Sequence, residues 1–517
     1  MSKMYLSSAA VSAAYFGGQN VLSDPYMFAA PRALWPVQGF AASAGSVYEV
    51  SVLYYRSPPY AITSPRFLLT NTLATMNTNA EAALGNAVIW NGISVELGTT
   101  FNGNGTVNTR GTCYPVTIGG LASDYTLADN SWIWTDENSI TIPANTIFGV
   151  VCATQVASGE KRPCSQFRTA QSLGDGKRQS ATALASYLSS GTITASDGTI
   201  YTQPAFIVAK GWQAAGQPPV PIIIGDSISV TGNDATYLDQ ADGVWQYGPK
   251  GLWDNASSTR YAYGHLGISG IGATHFNAGT FVKRKAALLD INATGPFSCV
   301  LSELGLNDGP ASIKTSCNTL WAYLKSIFPT KKLIQTTITP KPTLTTANIG
   351  YTTVANQVSS YGSGAGSWAD FHDYLLARGA YSVLPANLDA VVNVRPAFES
   401  ATDSGKYNCT GWNTTLAANY TASSTTCSLV AAPTVGMALM GAVGDVGGTL
   451  KTLGIVRAVS GSGPYTVTLY GPTAGGLTAP SAIWEVDCDL AGVHPFTSAN
   501  NRARDVVIAA KNANVFV

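Results

Sequence analysis

The feature that most constrains this chain is the stretch Pro221–Val230, which reads Pro-Ile-Ile-Ile-Gly-Asp-Ser-Ile-Ser-Val. Three consecutive isoleucines form a β-branched apolar run, which is typical of a strand buried on both faces of a sheet. The run ends at Gly225-Asp226-Ser227, whose small polar residues suit a tight turn at the strand's carboxyl end. Open α/β sheets bind ligands at that end, so Ser227 is a candidate nucleophile that needs a base and oxyanion donors elsewhere.

The 517-residue chain is long enough for two to four domains. Only 11% of its residues are charged and glycine occurs 52 times, a composition that favours a β-rich extracellular or virion protein. Lys plus Arg and Asp plus Glu balance at 29 each, so nothing indicates nucleic acid or an anionic membrane surface as a partner. No apolar run reaches the roughly 20 residues that cross a bilayer, and the first residues lack a secretory signal's apolar core. We expect an extracellular or virion-associated protein, with a cytoplasmic location as the alternative.

Eight cysteines are spread along the chain without a Cys-x-x-Cys pair, so they do not define a redox compartment. Cys409 and Cys427 could form a disulfide in a loop-rich stretch, and Cys113, Cys152 and Cys164 could supply another pair. Buried free thiols are the alternative for all of them.

Residues 1–218 contain short β-type runs separated by Gly, Asn and Pro, which predicts an amino-terminal β-sandwich or jelly roll. This region could bind glycan, attach to a particle or form an oligomer. Trp132 and Trp134 alternate with Ile133 beside a polar loop. This pattern is typical of core or edge residues, and a sugar-stacking platform is the alternative. The proline-rich segment that ends at Pro221 is a stiff linker, and we place the domain boundary at residue 218.

From residue 219 onwards strands alternate with helices, which predicts βαβ units and a parallel sheet flanked by helices. Strands are expected at 297–304, 332–338 and 390–394, and helices at 313–327, 353–361, 368–378 and 497–512. Residues 401–480 interrupt this alternation with a segment rich in small residues, including a hairpin signal between 455–459 and 465–470. We therefore expect one α/β domain in two parts, 219–400 and 481–517, with a small inserted β-module.

Four short pieces lie at the ends of predicted strands or in the loops after them: Gly225–Ser227, Gly267–Gly270, Gly305–Asp308 and Gly492–Pro495. In this order and sheet context they resemble the four blocks of the SGNH (GDSL-type) hydrolase family. Each piece alone is a weak signal, but the four within about 270 residues are specific. The resemblance covers the two parts of the α/β domain and implies a three-layer SGNH fold with serine esterase activity. It implies no cofactor and no metal.

The resemblance also assigns roles to individual residues. Ser227 would attack an ester carbonyl after His494, a base whose ordinary pKa is near 6.5, accepts its proton. The backbone N–H groups of Ser227 and Gly270 and the side-chain amide of Asn307 would form the oxyanion hole. Glycine at position 270 lets the backbone approach the substrate, and an asparagine amide cannot lose its donor by titration.

The chain departs from the family at the third member of the triad. The family usually has an aspartate three residues before its histidine, and Ala491 stands there. Asp489 is the favoured replacement and Asp487 the other candidate; otherwise a backbone carbonyl holds the imidazole of His494 and the enzyme works as a Ser–His dyad. Structural roles are expected for the remaining histidines, which are His265, His275 and His372. For His265, a place in the cleft is the alternative.

The resemblance extends in substrate class to carbohydrate O-acetyl esterases, including those carried on phage tails. We therefore expect a serine esterase that removes acetyl or other short acyl groups from a polysaccharide. Its partners would be an acetylated glycan or small ester, a virion or tail protein, and further copies of itself in a homo-oligomer. Two alternatives stay open, a lipase or thioesterase acting on longer acyl chains, and a catalytically decayed glycan-binding or structural virion protein.

Overall fold

The computed structural model describes most of the chain between residues 25 and 485, with gaps, and a few positions outside that range. The described residues are 15–16, 19–20, 25–30, 33–102, 107–166, 175–193, 200–213, 218–227, 229, 262–344, 354–355, 357–359, 361–401, 404–408, 413–421, 424–435, 437–442, 450–470, 477–479, 481–485, 506, 509–510, 513 and 515. Within these ranges, no helix is long and apolar enough to cross a membrane.

The first part of the chain folds into antiparallel sheets. Its strands are β1 (Tyr15–Phe16), β2 (Gln19–Asn20), β3 (Met27–Phe28), β4 (Gln38–Ala41), β5 (Tyr48–Arg56), β6 (Ile62–Thr70), β7 (Thr72–Ala74), β8 (Glu81–Ala83), β9 (Val88–Leu97), β10 (Thr100–Phe101), β11 (Val107–Thr109), β12 (Thr112–Val116), β13 (Tyr125–Leu127), β14 (Trp132–Trp134), β15 (Thr141–Ile142), β16 (Ile147–Gln155), β17 (Lys161–Gln166), β18 (Gly176–Ser180), β19 (Ile200–Tyr201) and β20 (Phe206–Lys210). An outer sheet has the order β12-β9-β16-β5-β18, and a middle sheet has the order β14-β6-β20-β3. These two sheets pack face to face, since buried side chains of both form one apolar core.

The middle sheet is buried on both faces. Successive side chains of a strand point to opposite faces, and here Phe67 and Ile207 contact the outer sheet. Their neighbours Leu68 and Phe206 belong instead to a second core, which also contains Ile222 of the following α/β region. The middle sheet therefore joins the two halves of the chain through continuous apolar packing.

The α/β region is built on a five-stranded parallel sheet with the order β22-β21-β23-β24-β27. Its elements are β21 (Pro221–Ile224), β22 (Gly264–His265), α1 (Val282–Ile291), β23 (Cys299–Ser302), α2 (Ile313–Ile327), β24 (Lys332–Thr336), β25 (Thr343–Leu344), β26 (Gln357–Val358), α3 (Trp368–Leu375) and β27 (Ala390–Val392). The helix expected over 353–361 is wrong where the structure describes it, because β26 pairs there with β25 as an antiparallel ribbon.

Alternate residues of the isoleucine run face opposite sides of the parallel sheet. Ile222 and Ile224 pack in the core that includes Trp321 of α2. Ile223 lies in a separate core on the other face, which also contains Tyr407 and against which Val506 packs. The strand is therefore buried on both faces, as its β-branched sequence predicts.

Contacts at the sheet edge fix the β-rich region against the α/β region. Leu34 forms a parallel bridge with His265 and so covers the edge strand β22. The ring of Phe28 lies so close to Gly264 that a Cβ there would overlap it. The indole Nε1 of Trp134 donates to the carbonyl of Ala287 in α1 over 3.0 Å, so this tryptophan is a core residue rather than a sugar-stacking surface.

The segment expected as an insert over 401–480, together with residues 482–485 just beyond that boundary, forms a six-stranded antiparallel sheet with its own apolar core. Its strands are β28 (Asn413–Thr415), β29 (Thr426–Leu429), β30 (Ala438–Ala442), β31 (Leu450–Ser460), β32 (Tyr465–Tyr470) and β33 (Ala482–Glu485), in the order β28-β33-β30-β31-β32-β29. The expected hairpin is confirmed as β31 paired with β32. A bridge between Leu416 and Leu429 links the two ends of the sheet, so the strands close into a small barrel.

The cysteines that the structure describes are free thiols, which decides between the two alternatives for Cys113, Cys152 and Cys164 in favour of unpaired thiols. Burial raises the pKa of the Cys164 thiol to about 12, as expected for an inert core residue. Cys427 is also free, and its expected partner Cys409 lies outside the described residues.

Candidate active site

Three of the four sequence pieces meet at the carboxyl ends of the strands of the parallel sheet. They follow β21, β22 and β23, which are adjacent parallel strands, so their carboxyl ends lie side by side. The Ile268 N–H donates to the Gly225 carbonyl over 3.1 Å, and the Glu303 N–H donates to the Ile224 carbonyl over 2.8 Å. The turn after β21 is thus hydrogen-bonded to both neighbouring loops.

The turn that carries Ser227 is rigidly built. Asp226 is buried, and its carbonyl accepts a hydrogen bond from the Ser229 hydroxyl over 2.9 Å. The same hydroxyl lies where a Cβ on Gly225 would be, so this position requires glycine. Ser227 itself is half-buried.

Asn307 ties the three loops together. Its side-chain amide donates to Asp226 Oδ2 over 3.1 Å and to the Ile271 carbonyl over 2.9 Å. An amide group has two hydrogens, and these bonds engage both. Donation to a substrate oxyanion therefore requires Asn307 to give up one of these bonds.

Gly270 has a φ of +80°, a left-handed conformation that favours glycine. Its backbone N–H donates to no described residue, whereas the Asn307 amide has two described acceptors. The loop continues into a 3₁₀ turn, Ala273–His275, whose Ala273 N–H donates to Asp308 Oδ2 over 2.7 Å. Asp308 thus braces the loop beside Gly270.

Glu303 adds a carboxyl group that the sequence motifs do not single out. It follows β23 directly, and its Oε1 atom is buried without a hydrogen-bond partner among the described residues. Burial, together with the negative charge of Asp226, raises the pKa of the Glu303 carboxyl to about 8. The group is therefore mainly neutral at pH 7.

The histidines that the structure describes have structural roles. His265 is fully buried, its Nδ1 accepts from the Gly267 N–H over 3.2 Å, and burial lowers its pKa to about 3. His275 accepts from the Gly272 N–H over 2.9 Å, and His372 is buried in the core beside Tyr361. The predicted base and acid lie outside the described residues: His494, Asp489 and Asp487. Among the residues described, no group of His, Cys, Asp and Glu side chains could hold a metal ion.

No protein-family model and no curated protein matches this chain. It is structurally similar to a carbohydrate esterase family 2 enzyme with a carbohydrate-binding domain from Corynascus thermopiles (Myceliophthora fergusii), with 13% identity, a TM-score of 0.22, and coverage of 71% of this chain and 89% of that one. A family two carbohydrate esterase from Cellvibrio japonicus has 12% identity and a TM-score of 0.19, with 56% and 79% covered. A protein described as a GDSL-like lipase from Bacteroides ovatus has 8% identity and a TM-score of 0.17, with 57% and 60% covered. These likenesses are too distant to assign a residue or a substrate.

Proposed function

We propose that this chain is a serine esterase of the SGNH type that hydrolyses acetyl or other short acyl esters, with a polysaccharide as the acyl carrier. The observation that carries the proposal is the convergence of Ser227, Gly270 and Asn307 at the shared edge of three adjacent parallel strands. Ser227 is half-buried there, and the Gly270 N–H in the neighbouring loop donates to no described residue. Nucleophile and oxyanion donor are the two parts that acyl transfer requires from a rigid scaffold.

In the proposed reaction, His494 accepts the proton of the Ser227 hydroxyl while Oγ attacks the ester carbonyl carbon. The resulting oxyanion accepts hydrogen bonds from the backbone N–H groups of Ser227 and Gly270 and from the side-chain amide of Asn307. The bond between the carbonyl carbon and the alcohol oxygen then breaks, and His494 protonates the departing alkoxide. Water, deprotonated by His494, attacks the acyl-enzyme, and the carboxylic acid leaves as Ser227 regains its proton.

The exposed groups around this edge favour a hydroxylated alcohol over a long acyl chain. Thr274 and Asn307 are exposed polar residues on the loops that meet there. Such side chains can hydrogen-bond to sugar hydroxyl groups, which an alkyl chain does not offer. This polar rim supports an acetylated glycan as the substrate.

The test is a series of p-nitrophenyl esters of increasing acyl length, followed by acetate release from acetylated bacterial polysaccharides. We expect acetate to be the preferred acyl group and Ser227→Ala to abolish its hydrolysis. Ser326→Ala is the matched control, because Ser326 is exposed on α2 and its hydroxyl bonds only to the Tyr323 carbonyl among the described residues. This control should retain full activity.

Three results would count against the proposal. A preference for octanoate or longer chains would indicate a lipase or thioesterase. Absence of turnover with every ester would indicate a binding or structural protein. Equal activity of wild type and Ser227→Ala would remove Ser227 from the mechanism. Comparing Asp489→Asn with Asp487→Asn in the same assay identifies the residue that orients His494, or a dyad if kcat stays within a few-fold in both.

A further inference from the structure

A loop of the β-rich region, residues 75–80, reaches the candidate active site; we call it the Asn77 loop. It is closed by hydrogen bonds from the Thr75 N–H to the Ala80 carbonyl and from the Asn79 N–H to the Thr75 carbonyl, both 2.9 Å. The Asn79 amide donates to the His275 carbonyl over 2.9 Å, and its Oδ1 accepts from Arg284 Nη1 over 2.7 Å. The loop is thus held firmly against the α/β region.

The tip of this loop contacts the peptide that precedes Gly270. The main-chain N–H of Asn77 donates to the Ser269 carbonyl over 3.1 Å. The Asn77 side chain lies over Gly270, with Oδ1 where a Cβ of that glycine would be. Asn77 itself is exposed, so it stands at the surface of the site rather than in the core.

This contact fixes the direction of the oxyanion donor. In a planar trans peptide the carbonyl of Ser269 and the N–H of Gly270 point in opposite directions. Holding the Ser269 carbonyl against Asn77 therefore directs the Gly270 N–H away from the Asn77 loop. Glycine permits either orientation of this peptide at little cost, so the orientation depends on a partner.

We propose that Asn77 is a positioning residue whose main-chain N–H holds the Ser269–Gly270 peptide in the orientation that presents the Gly270 N–H to the oxyanion. This inference rests on the proposed esterase function. It gives the β-rich region a direct part in acyl transfer, because the loop that sets the oxyanion donor comes from that region.

The conformation of Asn77 offers a way to test the backbone separately from the side chain. Its φ is +65°, which asparagine and glycine tolerate but β-branched residues do not. Asn77→Gly keeps the conformation and the N–H donor while removing the carboxamide. Asn77→Val disfavours the conformation and so withdraws the donor. Asn145→Val is the matched control, because Asn145 has a φ of +53°, is exposed, and donates its N–H to the Pro58 carbonyl over 2.9 Å.

We expect Asn77→Val to lower kcat for p-nitrophenyl acetate by about ten-fold or more. The upper limit of this loss is the kcat decrease on removing a whole oxyanion donor, roughly 10²–10³-fold. KM should stay within about two-fold, since the donor acts on the transition state. Asn77→Gly should stay within about three-fold of wild type in kcat, and Asn145→Val should match wild type. Asn77→Ala, with less strain than valine, should give an intermediate loss.

The inference is overturned if Asn77→Val keeps wild-type kcat, or if Asn77→Gly loses as much activity as Asn77→Val. Hydrogen exchange gives a second readout that does not depend on activity. The main-chain amide of residue 77 should exchange faster in Asn77→Val than in wild type, and its rate should be unchanged in Asn145→Val. Equal exchange rates in Asn77→Val and wild type would refute the contact. If wild type hydrolyses no ester, the proposed function fails, whereas the exchange result still decides whether Asn77 holds this peptide.

Discussion

Replacing Glu303 with glutamine should remove a strong pH dependence of stability. The carboxyl of Glu303 lies at the end of β23, with one oxygen buried and unpaired among the described residues. Burial, together with the negative charge of Asp226, raises its pKa from an ordinary value of 4.5 to about 8. Glutamine has nearly the same shape as the protonated acid but cannot ionise, so Glu303→Gln isolates the cost of ionisation.

The sign and size of the effect follow from proton linkage. Between pH 4.5 and about 8 the unfolded chain releases the Glu303 proton while the folded chain keeps it. The unfolded state then binds fewer protons, so the free energy of unfolding falls as the pH rises, by about 1.4 kcal/mol per pH unit. Between pH 5.5 and 7.5 the wild type should lose about 2.7 kcal/mol relative to Glu303→Gln.

Urea unfolding of both proteins at pH 5.5, 6.5 and 7.5 and constant ionic strength measures this difference. The lowered pKa of His265 affects both proteins equally and cancels. Glu137→Gln is the control: the neighbouring Tyr26 hydroxyl and a hydrogen bond from Lys210 Nζ over 2.9 Å lower the pKa of Glu137, so it stays ionised throughout this range in both states. Its effect should be constant with pH. If the Glu303→Gln difference is also constant, the carboxyl is ionised in the folded protein and the argument from its burial is wrong.

Two further substitutions test the contacts that hold the site together. Arg284→Met leaves the Glu81 carboxylate, which accepts from Arg284 Nε over 3.0 Å, without its buried partner, and should cost about 3–5 kcal/mol of stability in the same urea assay. Stability within 1 kcal/mol of wild type would show that this pair does not fasten the two regions. Asn307→Ala leaves Asp226 Oδ2 and the Ile271 carbonyl without this donor, and should cost about 1–3 kcal/mol and lower kcat for p-nitrophenyl acetate. Unchanged stability would remove Asn307 from bracing, and an unchanged kcat would remove it from oxyanion binding.

The sequence predicted best those features that depend on local pattern. The isoleucine run gave β21, and the apolar spacing gave the helix 313–327 at the bounds the structure has. The same patterns predict where the strands end, and the turns at those ends lie close together because parallel strands place their carboxyl ends side by side. The convergence of Ser227, Gly270 and Asn307 was therefore predictable from the sequence alone. The role of His494 and the choice between Asp489 and Asp487 stay predictions.

Features that depend on long-range contacts left no local signal. Nothing in the sequence near Asn77 indicates that it meets Ser269, since the contact joins loops almost two hundred residues apart. Glu303 falls within the predicted strand 297–304 and carries no signal of its own in the sequence; only its burial and the charge of Asp226 make its carboxyl unusual. One signal was present for the packing of the two regions: apolar residues at successive positions, as at Phe67-Leu68-Leu69, predict a strand buried on both faces.

The middle sheet, which is buried on both faces, keeps the candidate site rigid. An oxyanion donor contributes only if its direction is set before the substrate binds. The Asn77 loop leads from β7 to β8, close in sequence to β6 of the middle sheet, whose Leu68 packs in the same core as Ile222 of β21. The strand that leads to Ser227, the proposed nucleophile, and the loop that holds the Gly270 peptide are thus anchored to one apolar core. Because close-packed cores resist deformation, the relative placement of Ser227 and the Gly270 peptide depends on the packing of both regions and not on either loop alone.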